Sequence, residues 1–222
     1  MRAAVRLLSV VAALILCGLA YTAASWGLAD VFATQPRRAM WLWDSGKAVP
    51  GPADVQAVRG ALESALRLKP GDPGIKEDLG RAHLWAAAQV LPPAQVAQQR
   101  ETALAYFRAA VRERPVSSYA WAAVAAAKWK MRDRDTEFEH ALREAARLGP
   151  WEPAVQLALV DVGLQSWEGL SEEAQRVVLT SVGRALRYRD AAVFGIARRY
   201  GRLDVVCRAD GVARSRFAYA CI

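Results

Sequence analysis

The chain has 222 residues, of which 54% are hydrophobic and 23% charged, with a formal net charge of +8. That is enough apolar material to bury a sizeable core in one or two domains. Long runs of Ala, Leu, Arg and Glu, with Gly and Pro falling between periodic segments, exclude a β-rich fold and predict an all-α protein; only Leu203 to Cys207 offers a short strand.

Residues 1–33 read as an N-terminal transmembrane anchor or signal peptide. Leu7 to Ala29 carries no charge, and about 20 apolar residues cross a hydrocarbon core about 30 Å thick at about 1.5 Å per residue. Arg2 and Arg6 keep the N-terminus cytoplasmic by the positive-inside rule, so the remainder faces outward. The alternative, a signal peptide cut after Gly27-Leu28-Ala29, exports the same remainder. Cys17 follows Leu16 rather than the small residue a lipidated Cys requires, and reads as a small hydrophobe in the apolar helix. Residues 34–51, with Pro36, Arg37, Arg38, Trp41 and Trp43, break the pattern as a membrane-proximal connector. Either its arginines meet lipid phosphates and its tryptophans the interface, or the tryptophans pack on the first repeat helix.

Residues 52–190 hold a recurring pattern. A first helix covers Pro52 to Leu68, with Leu62 and Ala65 at fixed offsets before Pro70. The unit Asp72 to Arg114 opens on Asp72 as helix cap with Pro73 at the first helical position. It carries the pair Leu79-Gly80, runs its first helix to Leu91, turns at Pro92-Pro93, and places Ala103, Phe107 and Ala110 before Pro115. From Ser118 to Pro150, Ala122, Ala125, Ala126 and Trp129 mark one helical face and Phe138, Ala141, Leu142 and Ala145 another. The charged run between them is the turn, Thr136 and Glu139 have capping-box spacing, and Gly149-Pro150 is the stop. A last unit runs from Pro153 to Trp167 and from a cap at Ser171 to Tyr188, with Ala185 at the small position and Asp190 where a proline would close it.

Leu142 and Ala145 stand before Pro150 as Phe107 and Ala110 do before Pro115, 35 residues upstream. This resembles the tetratricopeptide repeat, whose period is about 34 residues and whose pattern closes on a proline. In that family's terms Ala126 and Ala145 take small contact positions, Trp129 the Tyr position and Leu142 the Phe position, while Phe138 departs from the usual Ala. The resemblance implies a solenoid of helical hairpins with an N-terminal transmembrane helix before it, a fold built for binding proteins.

Residues 191–222 form a basic C-terminal tail. From Arg184 onward nine arginines face three aspartates, a patch suited to anions. Cys207 and Cys221 lie outside the apolar segment and are expected to pair in an oxidising compartment, presenting Arg208, Arg214 and Arg216 together. No catalytic constellation emerges: His83 and His140 are the only histidines, neither at metal-ligand spacing, and no phosphate loop or nucleophile turn is present, so neither cofactor nor metal is expected. Export argues against nucleic acid as partner.

The runs RPVSSYAWAAVAAAKW and EFEHALREAARLGPWEPAVQLALVDVGL look like those of small membrane-anchored helical-repeat proteins encoded with bacterial exopolysaccharide assembly machinery. That resemblance implies a non-catalytic role in the periplasm, at the inner membrane, beside a polysaccharide polymerase or exporter. Two functions follow: a scaffold gripping an envelope protein through Arg198, Arg199 and Arg202, or a module binding acidic polysaccharide on exposed tryptophans such as Trp121 and Trp151.

Overall fold

A computed structural model describes residues 2–221, and every regular element among them is helical. α1 (Arg2–Asp44) and α2 (Pro52–Leu68) form a first antiparallel hairpin, α3 (Pro73–Ala87) and α4 (Pro93–Glu113) a second, α5 (Ser118–Lys130) and α6 (Thr136–Leu148) a third, and α7 (Pro153–Ser166) and α8 (Glu172–Tyr200) a fourth. The hairpins stack side by side, and α9 (Leu203–Cys207) with two short 3-10 turns closes the far end. This is the tetratricopeptide-like helical-hairpin solenoid that the resemblance implies.

The hairpins close tightly because small residues face large ones. Gly80 on α3 lies under the Phe107 ring of α4, so close that a Cβ there would sit 2.4 Å from Cε1; Gly163 on α7 meets Val178 of α8 in the same way. Ala103, Phe107, Ala110, Leu142 and Ala145 are buried, as are Ala122, Ala125 and Phe138. Ala126 and Trp129 are only half-buried and pack on the margin of the core.

Several expectations change. Residues 34–44 are no break: Ala29, Ala33, Pro36, Met40 and Trp43 recur along one buried face of α1, so the helix carries on and its second half is the partner of α2. Arg37 binds Asp78 of α3 at 2.7 Å, and Trp43 packs edge-on against Trp85, whereas Trp41 stays exposed beneath Lys47. The segment Leu203–Cys207 is helix, since one turn after Gly201 brings the adjacent Val205 and Val206 both into the core, which alternation in a strand would forbid. α3 stops at Ala87, short of Leu91. Asp135, not Thr136, caps α6 by accepting the Phe138 N–H at 3.0 Å; Glu139 reaches instead to Ser171, accepting its N–H and its hydroxyl at 2.8 and 2.7 Å.

Lys128 was invisible to periodicity. It is 1% exposed on α5, and its Nζ donates to Asp133, Asp135 and Glu137 at 2.7, 2.8 and 3.0 Å. Burial alone would disfavour its charge, yet the three carboxylates raise its pKa. Arg108 of α4 joins them, donating to Glu137 at 2.8 Å, and is the main cause that pulls the Glu137 carboxyl down to about 2, with Lys128 adding to it. The cluster therefore ties α4 and α5 to the start of α6.

Two measurements test this packing. Gly80→Ala should lower stability by about 1–3 kcal/mol through overpacking on Phe107, whereas Gly60→Ala, where a Cβ on α2 meets nothing within 4 Å, should raise it by about 0.5–1 kcal/mol. Denaturant midpoints with unchanged slopes would establish both. Glu137 binds its proton more weakly folded than unfolded, so its contribution is fully present above the ordinary value of 4.5 and is lost as pH falls towards about 2. Lys128→Met should cost about 1–3 kcal/mol at neutral pH by leaving charged partners unpaired, and should flatten the loss of stability across that acid window.

Candidate anion-binding groove at the C-terminal end

The fourth hairpin departs from the others where a closing proline is missing. Arg189 leaves helical geometry (φ −142°, ψ 41°), so α8 turns there. Asp190 then starts the second segment, accepting the Ala191 N–H at 2.7 Å. Val193, Phe194 and Ala197 of that segment join Val205, Val206 and Val212 in the main core, so residues 191–221 are a folded cap rather than a loose tail. Cys207 and Cys221 form a disulfide with Cα atoms 5.5 Å apart, which closes the cap. Gly211, at φ 91°, makes the turn that lays the cap on α8. The approach is close: a Cβ at Gly183 would lie 2.8 Å from the Asp210 carbonyl oxygen.

Between the cap, the first half of α8 and the α6–α7 turn lies a groove of about 1160 Å³. Arg176, Thr180, Gly183 and Arg187 recur on the α8 face opposite the buried Val178, Val182 and Ala185 and form its floor, with Arg184 beside them. Arg208 and Arg214 enter from the cap, and Trp151 and Tyr188, 60% and 58% exposed, stand at the rim. The Arg187 guanidinium lies 5.8 Å from the Trp151 ring centre.

The arginines here are short of counter-charge. Arg176, Arg187 and Arg214 make no ion pair among the described residues, and Arg184 donates to the Ala146 carbonyl at 3.0 Å. Arg208 holds Asp204 at 2.8 Å. Of the two acids that line the groove, Asp190 is already committed: desolvation would raise its carboxyl, but the Ala191 N–H, Arg216 and Ser215 hold it below the usual aspartate range. Asp210 alone is left to offset the patch.

The residues singled out from sequence divide. Trp151 lies in the groove, and so do Arg208 and Arg214, while Arg216 is turned to Asp190. Trp121 does not: it is half-buried, its indole N–H donates to the Pro115 carbonyl at 2.9 Å, and its ring meets His140 edge-on. Arg198, Arg199 and Arg202 are outside it; Arg199 faces Asp161 at 3.8 Å and Arg202 holds Glu168 at 2.8 Å. Arg176 and Tyr188 escaped sequence reasoning, and Arg184 and Arg187 were counted only within the basic run; the eight- and three-residue spacing of Arg176, Arg184 and Arg187 on α8 was the signal. His83 is buried and bonded to Gln99 at 2.7 Å, and desolvation lowers its pKa.

The disulfide holds one wall of this groove. Cys221→Ser should weaken the cap by up to about 3 kcal/mol in the chain-entropy account. Amide exchange should accelerate across residues 203–221 and remain slow in α3 to α5.

No family model matches the sequence, and no curated protein matches it. Among solved structures, the chain is similar to a thermophilic tetratricopeptide-repeat protein from Thermus thermophilus, at 17% identity and a TM-score of 0.49 over 81% of this chain and 97% of that one.

Proposed function

We propose that this protein is a non-catalytic scaffold, anchored by α1 in the inner membrane with its solenoid in the periplasm, which grips an acidic segment of an envelope protein in the C-terminal groove. The observation that carries the reading is the convergence of Arg176, Arg187 and Arg214, none of them in an ion pair among the described residues, beside the exposed rings of Trp151 and Tyr188. Paired surface charges contribute little to binding, whereas free ones steer and hold an anionic partner. A polymerase or exporter of extracellular polysaccharide is the partner that the sequence resemblance implies.

A second reading has its own support. The exposed faces of Trp151 and Tyr188 are suited to stacking on sugar rings, and the arginines to uronate carboxylates, so an acidic polysaccharide fits the same groove.

Two defined probes separate these readings, a Glu-rich peptide and a polyuronate, each titrated against the full-length protein. Arg176→Glu with Arg187→Glu and Arg214→Glu should weaken the preferred probe by at least about tenfold and remove its salt sensitivity. Trp151→Ala should weaken the polyuronate selectively if sugar stacking operates, and leave the peptide little changed if it does not. Binding of neither probe at low salt would reject the groove as an anion site. A reporter active only outside the cytoplasm, fused after the last residue, should be active.

A further inference from the structure

We infer that the turns linking one hairpin to the next form a second membrane-contacting surface, laid against anionic phospholipid headgroups beside the span. The inference rests on reading α1 as an uncleaved span and goes beyond it.

α1 is helical throughout, and its apolar run stands clear of the bundle until Ala29. Ala29, Ala33 and Met40 are then fully buried, so packing on both sides of Pro36 holds that helix in place. No linker separates span from solenoid. The direction of α1 in the bilayer therefore sets the direction of the helices stacked on it.

The contacts give that direction. Arg37 meets Asp78 and Trp43 meets Trp85, so α3 runs parallel to α1; Glu77 receives the Ser117 hydroxyl, so α5 follows; Tyr119 donates to Glu152, so the start of α7 follows too. The α2–α3, α4–α5 and α6–α7 turns consequently all lie at the end of the bundle where α1 leaves it. Lys69, in the first of these turns, sits 5.3 Å from the ring centre of Trp26 near the end of the apolar run, the level at which a Trp and a Lys meet headgroups. Hairpins stack across their helix axes, so a span upright in the bilayer lays the solenoid along its surface.

The turns step back slightly. Ser117 is level with Glu77 rather than with the start of α3, and Glu152 with Tyr119, a total rise of roughly 10 Å at about 1.5 Å per residue. α3 and α7 are about 20 Å apart at ordinary helix spacings of 8–10 Å, so a tilt of about 20°, the average for membrane helices, recovers most of that rise.

Charge and exposure agree with the orientation. The turns at the span end and the helix ends that flank them carry Arg67, Arg112, Arg114 and Arg187, none in an ion pair among the described residues, together with the exposed Val116, Tyr119, Trp151 and Tyr188. The turns at the opposite end carry Asp133, Asp135, Glu168, Glu172 and Glu173, which outnumber Lys47, Arg132 and Arg134 there. Basic side chains mixed with Trp and Tyr are what an anionic headgroup layer attracts, and a carboxylate-rich end is what it repels. Trp151 and Tyr188 also rim the groove, which therefore opens beside the bilayer.

The test uses the full-length protein with Cys17→Ser, reconstituted into phosphatidylcholine vesicles with and without phosphatidylglycerol and carrying a headgroup-linked quencher. A fluorophore is placed on Val116→Cys at the span end or on Val90→Cys, fully exposed in the α3–α4 turn at the other. In anionic vesicles quenching at position 116 should be several-fold that at 90. It should fall towards the position-90 level in neutral vesicles, in high salt, and with Arg112→Glu and Arg114→Glu, two residues outside the groove. Equal quenching at both positions in protein that floats with the vesicles would overturn the inference while leaving the span intact, as would quenching at 116 indifferent to lipid charge and to both substitutions. Protein that fails to float with the vesicles would overturn the span reading itself, and the inference with it.

Discussion

The whole arrangement depends on one helix that has two kinds of surroundings. From Leu8 to Leu28 α1 exposes apolar side chains all round, over a length sufficient to cross a membrane. Its second half is striped, with Ala29, Ala33, Met40 and Trp43 buried and Trp41 exposed. The switch from uniform to striped hydrophobicity occurs without any departure from helix, so the element long and apolar enough to cross a membrane is also the first helix of the solenoid. The ion pairs Arg37–Asp78 and Arg81–Asp44 then fix α3 alongside it.

From that start the stack propagates by size matching and by charge. Gly80 under Phe107 and Gly163 under Val178 bring paired helices close, while Lys128 gathers three carboxylates into the α5–α6 turn. A buried lysine is expensive to desolvate, and it persists because each of its donors is matched by an acceptor within 3.0 Å. The acids of this end are thereby drawn into structural contacts with Lys128, Arg108 and Arg143. Arg112 and Arg114 near the α4–α5 turn and Arg176, Arg187 and Arg214 in the groove have no such partner among the described residues.

The groove is a consequence of how the stack ends. A regular repeat would present its next helix to α7 and α8, and here a broken α8 and a disulfide-closed cap do so instead. The cap covers the apolar end of the core with Val205, Val206 and Val212. It comes close to α8 at Gly183 and holds Asp190 through Ser215 and Arg216, and the arginine face of that helix is left to line the groove. Terminal units of solenoids are commonly irregular, since one face meets solvent; here the irregularity builds a concave basic surface.

Sequence alone determined the hairpins, because burial at i, i+3, i+4 and i+7 and a stop at proline are local consequences of helix geometry. Leu142 before Pro150, Phe107 before Pro115 and the cap at Ser171 follow from that rule. The uncharged run before Ala29 was equally legible, since length and apolarity are properties of composition rather than of partners. The groove was not: periodicity assigns a residue to a face but not to what lies opposite it. Arg198, Arg199 and Arg202 are as basic as Arg176, Arg187 and Arg214, and only the turn of α8 at Arg189 and the path of the cap over Gly183 decided which set faces open space beside Trp151. Lys128 escaped for the same reason, because a lysine is buried only when carboxylates from another segment reach it, and that meeting is a property of the fold.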